Sequence, residues 1–350
     1  MYYFYILNKS LENQRQITTK ISVLALIYLN MKPAFSIMKR APLRVAIGAT
    51  LLIASFFLFF SNIRYSEEFT GGVKITVAGA LEESTLKQDI LQYVETQGYK
   101  NSEVGIEVQE ETTKVSLRTQ VEKDEQVNVL SQDIQSLLVQ KGYITSADKV
   151  LEQSITGPSV GSYMQKSARN ALIVGVILMA IYMLFSFAGI RKEISPALLA
   201  GVVILITIFD VAIPAGAYGI RMSLDHTVTV DTIFIIAVLT NMGYSINDTI
   251  IIFDRIRENI KLNAGKKVLV GQIFETSLWQ TMRRSFGTVF STLLVIIAMY
   301  ILGSGVVRDF AFTIGVGVIS GSFSSIFVAA PLAYILLGKY RKERKEMLKS

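Results

Sequence analysis

Three charged side chains stand inside long, otherwise uncharged apolar runs: Asp210, Asp248 and Arg284. On insertion scales a charge at the centre of a membrane-spanning helix costs about 2.5–3.5 kcal/mol, so each of the three requires a reason. Asp248 lies in Gly243-Tyr244-Ser245-Ile246-Asn247-Asp248-Thr249, six residues before Asp254 and Arg255, which mark an aqueous boundary. At the helical rise this puts Asp248 about 9 Å inside that boundary. Arg284 enters the next apolar run from the same side and reaches a similar depth, so geometry allows the two to pair. Such a carboxylate has two readings. It can be half of a fixed interhelical ion pair, or it can load and release a proton, because low dielectric and a neighbouring cation act on it in opposite senses. Asn247, Ser245 and Thr249 could supply hydrogen bonds or hold water beside it. Asp210 is fourteen residues beyond Pro196, about 21 Å along its helix, a depth that separates it from Asp248. It is either a second relay station or a neutral, hydrogen-bonded structural carboxyl.

Other chemistries are excluded by residue supply. There is no cysteine and one histidine, His226, so thiolate metal sites, disulfides, a cysteine nucleophile and a Ser-His-Asp triad are ruled out or poor fits. No metal site is expected. No phosphate-cradling loop of Walker type occurs, which leaves an ion gradient as the energy source; one proton crossing 100 mV yields about 2.3 kcal/mol.

The elements that must position these residues are helices in a bilayer. The chain is 51% apolar and only 18% charged, with a mean hydropathy of +0.43, which excludes a soluble protein of this size. Six apolar runs, 43–63, 169–189, 196–219, 228–253, 282–303 and 309–337, are each long enough to cross about 30 Å of hydrocarbon. The predicted organisation is a cytoplasmic segment 1–42, a first span 43–63, an inserted domain 64–168, a five-helix bundle 169–338 and a basic tail 339–350. Residues 64–168 hold 10 basic and 16 acidic residues, whereas the whole chain carries a net charge of +7. The surplus basic residues flank the runs: Lys39, Arg40 and Arg44, then Arg191 and Lys192, then Arg255 to Lys267, then Lys339 to Lys349. If the spans alternate, all lie on one side, which places both termini in the cytoplasm. That pattern fits a lipid bilayer better than a nucleic-acid surface. Residues 21–29 are apolar but too short to span, and no signal-peptide cleavage pattern follows them.

The acidic insert has the periods of strands and helices. Val73 to Val77 predicts a strand, and Ser84 to Gly98 a helix with Leu86, Ile90 and Val94 on one face. Val104 to Val108 and Lys114 to Arg118 read as paired strands about a turn at Glu110 to Thr113. Glu125 to Gly142 predicts a second helix, and Val150 to Ile155 a last strand. The order βαββαβ is that of a ferredoxin-like domain, placed by the alternation of spans outside the cytoplasm. The last span is rich in small residues, Gly315, Gly317, Gly321 and Ser320 to Ser325, for which close helix packing is the default reading. Pro214 is expected to kink the third span.

The run Gly243 to Asn259, which ends Asp254-Arg255-Ile256-Arg257-Glu258-Asn259, resembles the fourth-span signature of the SecF family. So do Glu68-Phe69-Thr70-Gly71-Gly72, Gly157-Pro158-Ser159-Val160-Gly161 and Gln280-Thr281-Met282-Arg283-Arg284-Ser285, in the same order over residues 35–340. The resemblance implies a six-span half of a resistance-nodulation-division transporter that pairs with SecD beside the Sec translocation channel of the plasma (inner) membrane. It implies a proton-driven role in the export of polypeptides, with no enzymatic activity and no cofactor. Sodium could replace the proton as coupling ion. Asp248 would be the protonatable carboxylate and Arg284 its partner; Asp210 matches an aspartate of the family's third span, although Phe209 stands where many relatives have histidine. The alternatives are a proton-driven exporter of small molecules or lipids from the same superfamily, and a passive scaffold of the channel.

Overall fold

In hydrocarbon a backbone must satisfy its own hydrogen bonds, so the apolar runs are helical and their lengths follow the bilayer. The computed structural model describes residues 36–99, 102–109, 111–119, 121, 123–186 and 195–338. The expected basic loop at Arg191 and Lys192, the tail from 339, the turn residue Glu110 and residues 21–29 lie outside the described residues. After a 3-10 turn, Met38–Arg40, the chain forms α1 (Ala41–Asn62), the short α2 (Glu67–Thr70), β1 (Gly72–Ala78), α3 (Glu83–Thr96), β2 (Glu103–Val108) and β3 (Thr112–Arg118). Then come α4 (Asp124–Gln140), β4 (Val150–Thr156), α5 (Pro158–Ser186), α6 (Pro196–Leu224), α7 (Thr232–Leu262) and α8 (Val270–Leu302). The last span is α9 (Gly305–Ser324), which passes through a π-turn at Ser325–Ala329 into α10 (Ala330–Leu336). Among the described residues, six helical segments are thus long and apolar enough to cross a membrane.

The inserted domain is ferredoxin-like. Its sheet has the order β2-β3-β1-β4 with every neighbouring pair antiparallel, and Val73 faces Leu117 across one ladder and Ile155 across the other. One face of the sheet carries Val73, Ile75, Val77, Val115 and Leu117 into a core completed by Leu86, Ile90 and Val94 of α3 and by Val127, Leu130, Ile134 and Leu138 of α4. Those are the stripes that the 3.6-residue period predicts. The domain ends sooner than its expected limit of 168, because α5 starts at Pro158 and runs without a break into the second span.

Two stretches of chain tie this domain to the bundle. Tyr65 forms a parallel bridge with Val230 in the loop before α7, where Val230 N–H donates to the Arg64 carbonyl at 2.7 Å and Ser66 N–H to the Val230 carbonyl at 2.9 Å. Glu68 accepts from Thr232 N–H at 3.0 Å, and Gln165 of α5 donates to the Phe69 carbonyl at 2.9 Å. Gly71 and Gly72 turn the chain from α2 into the sheet with φ of 86° and 150°. A Cβ at Gly72 would lie 2.2 Å from the Leu117 carbonyl oxygen, so the turn admits no side chain. Within the membrane α1 lies against α6, where a Cβ on Gly219 would come within 2.5 Å of the Leu58 carbonyl oxygen.

Asp231 caps α7 by accepting from Phe234 N–H at 2.7 Å. Burial pushes its carboxyl from an ordinary 3.8 up to about 6, only partly offset by the Phe234 hydrogen bond. The folded protein therefore holds this proton more tightly than the unfolded chain, and stability is lost as pH rises from about 4 to about 6. Asparagine caps equally well, so Asp231→Asn is expected to match the wild type near pH 4 and to exceed it by about 1–3 kcal/mol at pH 7. Thermal unfolding in detergent across that range checks the difference, and a variant less stable at pH 7 would show that the ionised form supports the fold.

Candidate functional site

Asp210 and Asp248 meet in one buried site. Asp210 lies fourteen residues after the start of α6 and Asp248 fourteen before the end of the antiparallel α7, so the two stand at the same height. The expected separation in depth is overturned because α7 does not stop at Asp254 but continues as helix to Leu262. Asp210 is 2% and Asp248 3% exposed.

The partners of both carboxylates are hydroxyls. Ser245 of α7 donates to Asp210 Oδ2, and Ser324 at the end of α9 donates to Asp210 Oδ1 at 2.6 Å. Ser322 donates to Asp248 Oδ2 at 2.7 Å. One turn along, the Thr249 and Ser325 hydroxyls pair at 2.7 Å. Among the described residues no lysine or arginine forms an ion pair with either aspartate. A charge taken out of water without a counter-ion costs several kcal/mol, and each serine hydroxyl offsets only part of that. The site is therefore suited to take up a small cation between oxygen ligands.

Small residues let three helices come together here. A Cβ on Gly317 would lie 1.9 Å from Asn241 Nδ2, and one on Gly321 2.8 Å from Ser245 Cβ, so α9 packs flush against α7. Asn241 uses that approach to donate to the Thr313 carbonyl at 3.0 Å, while its Oδ1 is buried without a partner. Pro214 stays inside a continuous α6; lacking an N–H, it leaves the Asp210 carbonyl without its usual i+4 donor. The π-turn Ser325–Ala329 begins directly beside Ser324. Both irregularities fall at the carboxylates, where the helices are least constrained by their own ladders.

Several expected members of the site are elsewhere. Arg284 is exposed on α8 and is not brought to Asp248. The inward stripe of α8 runs through Ser277, Thr281 and Ser285, and Arg284 is turned about 100° from Ser285. Asn247 is likewise exposed, one residue around the helix from Asp248, and Gly243 is exposed too. Tyr244 reaches Thr292 of α8 at 3.4 Å. Asp254 pairs with Arg257 at 2.6 Å, and Arg255 with Glu258 at 2.5 Å and with Gln280 at 2.7 Å. Asn259 bonds Ser277 and Gln280, each at 2.8 Å. The second half of this motif thus fastens α7 to α8. Gly71 and Gly72 belong to the domain tether. Sequence reasoning missed Ser322 and Ser324 as ligands, having assigned the small residues of α9 to packing. It also missed Glu275, 9% exposed, which accepts from Met38 N–H at 2.8 Å and from Trp279 Nε1 at 3.1 Å.

These features define a polytopic α-helical membrane protein with a ferredoxin-like insert and a buried carboxylate pair in its bundle. Residues 139–339 match the family described as protein export membrane protein SecD/SecF, C-terminal. The chain is 32% identical over 323 residues to the protein translocase subunit SecDF of Thermus thermophilus, covering 91% of this chain and 40% of that one. It is 31% identical over 302 residues to the protein translocase subunit SecF of Sebaldella termitidis, covering 85% and 89%. The crystal structure of Thermus thermophilus SecDF, described as a translocon-associated membrane protein, superposes with a TM-score of 0.69 at 29% identity, covering 88% of this chain and 39% of that one. SecDF in its super-membrane-facing form superposes with a TM-score of 0.60 at 29% identity, covering 91% and 41%. This chain belongs to the SecD/SecF family of protein-export membrane proteins. It spans about two fifths of the length of SecDF and most of that of the SecF relative.

Removing both hydroxyl donors of Asp210, in a Ser245→Ala/Ser324→Ala double variant, should cost about 1–3 kcal/mol per stranded acceptor. Asp210→Asn, which removes the charge at constant shape, should cost less than that double variant. The order of thermal midpoints in detergent tests this; a reversed order would mean that the ionised Asp210 stabilises the bundle.

Proposed function

We propose that this chain is a SecF-type accessory subunit of the Sec protein translocase that, with SecD, converts a proton gradient into work on exported polypeptides. The observation that carries the reading is the buried pair of Asp210 and Asp248, held by serine hydroxyls on tightly packed helices with no lysine or arginine paired to them among the described residues. Uptake of a proton at Asp248 neutralises the buried charge, weakens the charge-assisted bond from the Ser322 hydroxyl and adds an O–H donor to the site. Its loss reverses these changes. Because α7 and α9 meet through glycine and serine, a change at this contact meets little interlocking of large side chains. Asp210 is the second station, linked to the first through Ser245, one turn from Asp248 on the same helix.

On this reading both termini face the cytoplasm and the domain faces outward, supported by the basic residues near the ends of the spans away from the domain. SecD, the Sec channel and the emerging polypeptide are the partners, supported by the names of the relatives. Proton is the coupling ion favoured; sodium would find the same oxygen ligands. No organic cofactor or metal is required by this scheme, and the work is transport without catalysis.

Export of a reporter polypeptide, in cells or membrane vesicles that depend on this chain, is the test, measured with the gradient intact and collapsed. One proton at 100 mV can bias an equilibrium about fiftyfold. Asp248→Asn is expected to abolish the gradient-dependent part of export while leaving the part that persists when the gradient is collapsed, and Asp248→Glu to retain some of the gradient-dependent part. Wild-type export from Asp248→Asn would reduce the chain to a scaffold.

A further inference from the structure

Beside the tether, two cavities run into one another. The first, about 600 Å³, lies between α1, α5, α6 and α7 and is lined by Phe59, Phe60, Leu172, Val211, Ala215 and Phe234. Its size falls within the roughly 300–1,000 Å³ of sites that enclose a small organic ligand. The second, about 530 Å³, is of mixed character, with Arg64, Arg118 and Glu103 in its wall beside Ile63 and Pro158. Tyr65, Phe69 and Gln165 are common to both walls, so an apolar chamber adjoins one that carries charged groups.

The charges of this double cavity are unbalanced. Arg118 is 7% exposed; it pairs with Glu103 at 3.0 Å and donates to the Tyr65 carbonyl at 3.3 Å, yet its Nε is buried with no partner. Burial acts on this guanidinium more strongly than the attraction of Glu103 and Glu67, the mark of an under-neutralised cation. Arg64 donates to the Asp225 carbonyl at 2.8 Å and contacts the Met222 carbonyl and His226, and its Nε is also buried without a partner. Lys166 and Arg169, one turn apart on α5, are exposed at the rim of the apolar chamber and form no ion pair among the described residues. Among the residues lining the two walls, four cations thus stand with one carboxylate, Glu103, and Glu67 lies close behind Arg118.

We infer that the paired cavities hold one anionic phospholipid of the bilayer, its acyl chain in the apolar chamber and its phosphate against Arg118 and Arg64. The match is of chemistry and level. An apolar tail fills the space bounded by Phe59 and Phe234, and a phosphate supplies the acceptor that the two unpartnered Nε–H groups lack. Lys166 and Arg169 add attraction for the headgroup from the water side. A lipid seated there also touches Tyr65 and Phe69, the residues that carry the domain's tether. The inference stands apart from the ion site and survives if Asp248 is purely structural.

The test is native mass spectrometry of the purified full chain titrated with phosphatidylglycerol or phosphatidylcholine. The wild type should retain phosphatidylglycerol about tenfold more strongly, the equivalent of one charge-assisted hydrogen bond. Arg118→Gln should remove that preference, and Ala168→Phe, which fills the apolar chamber, should weaken both lipids. If Arg118→Gln does not fold, Lys166→Gln/Arg169→Gln on the exposed rim should still lower the preference severalfold. Equal retention of the two lipids overturns the inference. So does displacement by inorganic phosphate alone, which would reveal a free-anion site, or displacement by a partner subunit, which would make the groove a helix-docking surface.

Discussion

Two carboxylates can remain inside a helix bundle without a cation only where hydroxyl donors reach them, and hydroxyls on short side chains reach only when the helices nearly touch. Ser322 and Ser324 have one carbon between backbone and oxygen. Their bonds of 2.7 and 2.6 Å to Asp248 and Asp210 therefore demand that α9 lie flush against α6 and α7. Gly317 and Gly321 make that approach sterically possible, and Asn241 and Ser245 fill the space the missing side chains leave. Larger residues on α9 would separate the helices and strand both acids. The polar site and the small-residue contact are thus one structural solution: neither persists without the other. A change of protonation would act on this contact directly, since the hydroxyls that hold the helices together are those that answer the charge.

The periodic parts of the fold were legible in the sequence. A period of two over Val73 to Val77 and Lys114 to Arg118, and a period of 3.6 through Leu86, Ile90 and Val94, reflect one buried and one solvated face. That asymmetry is strong enough in water to be read from residue types alone. It locates the domain core and, with the βαββαβ order, its sheet. The spans were legible for a different reason, since length and absence of charge are set by the bilayer.

The membrane site was only half legible. Asp210 and Asp248 were visible as costly charges, but their neighbours were not. In a span every face is apolar or small, so periodicity does not say which side of Arg284 or Asn247 turns inward, and a rotation of about 100° per residue decides it. Depth failed as well, because charges at Asp254 and Arg255 announce water but not the end of a helix. α7 continues well past them, carrying the pairs that join it to α8. Serines in a glycine-rich helix look alike whether they pack or bond, and only the opposite helix distinguishes the two.

Two of the three helices that hold the acids, α6 and α7, also hold the domain's tether, and the third, α9, is clamped to α6. α6 presents Asp210 in its middle and, at its end, the Met222 and Asp225 carbonyls that grip Arg64. α7 presents Asp248 and begins where Thr232 bonds Glu68 and Val230 bridges Tyr65. α9 presents Ser322 and Ser324 and, near its start, Asp309, which pairs with Arg221 of α6. A helix is stiff along its axis, so displacement at the carboxylates reaches these termini with little loss over the thirteen residues from Thr232 to Ser245, about 20 Å. The domain's anchor points are therefore the far ends of the helices that answer the charge. A shift of α9 against α6 would alter the spacing of Asp309 and Arg221, while the Arg64 and Glu68 contacts would travel with α6 and α7. Any motion of α6 or α7 would therefore be carried to the sheet above them through the Arg64 and Glu68 contacts.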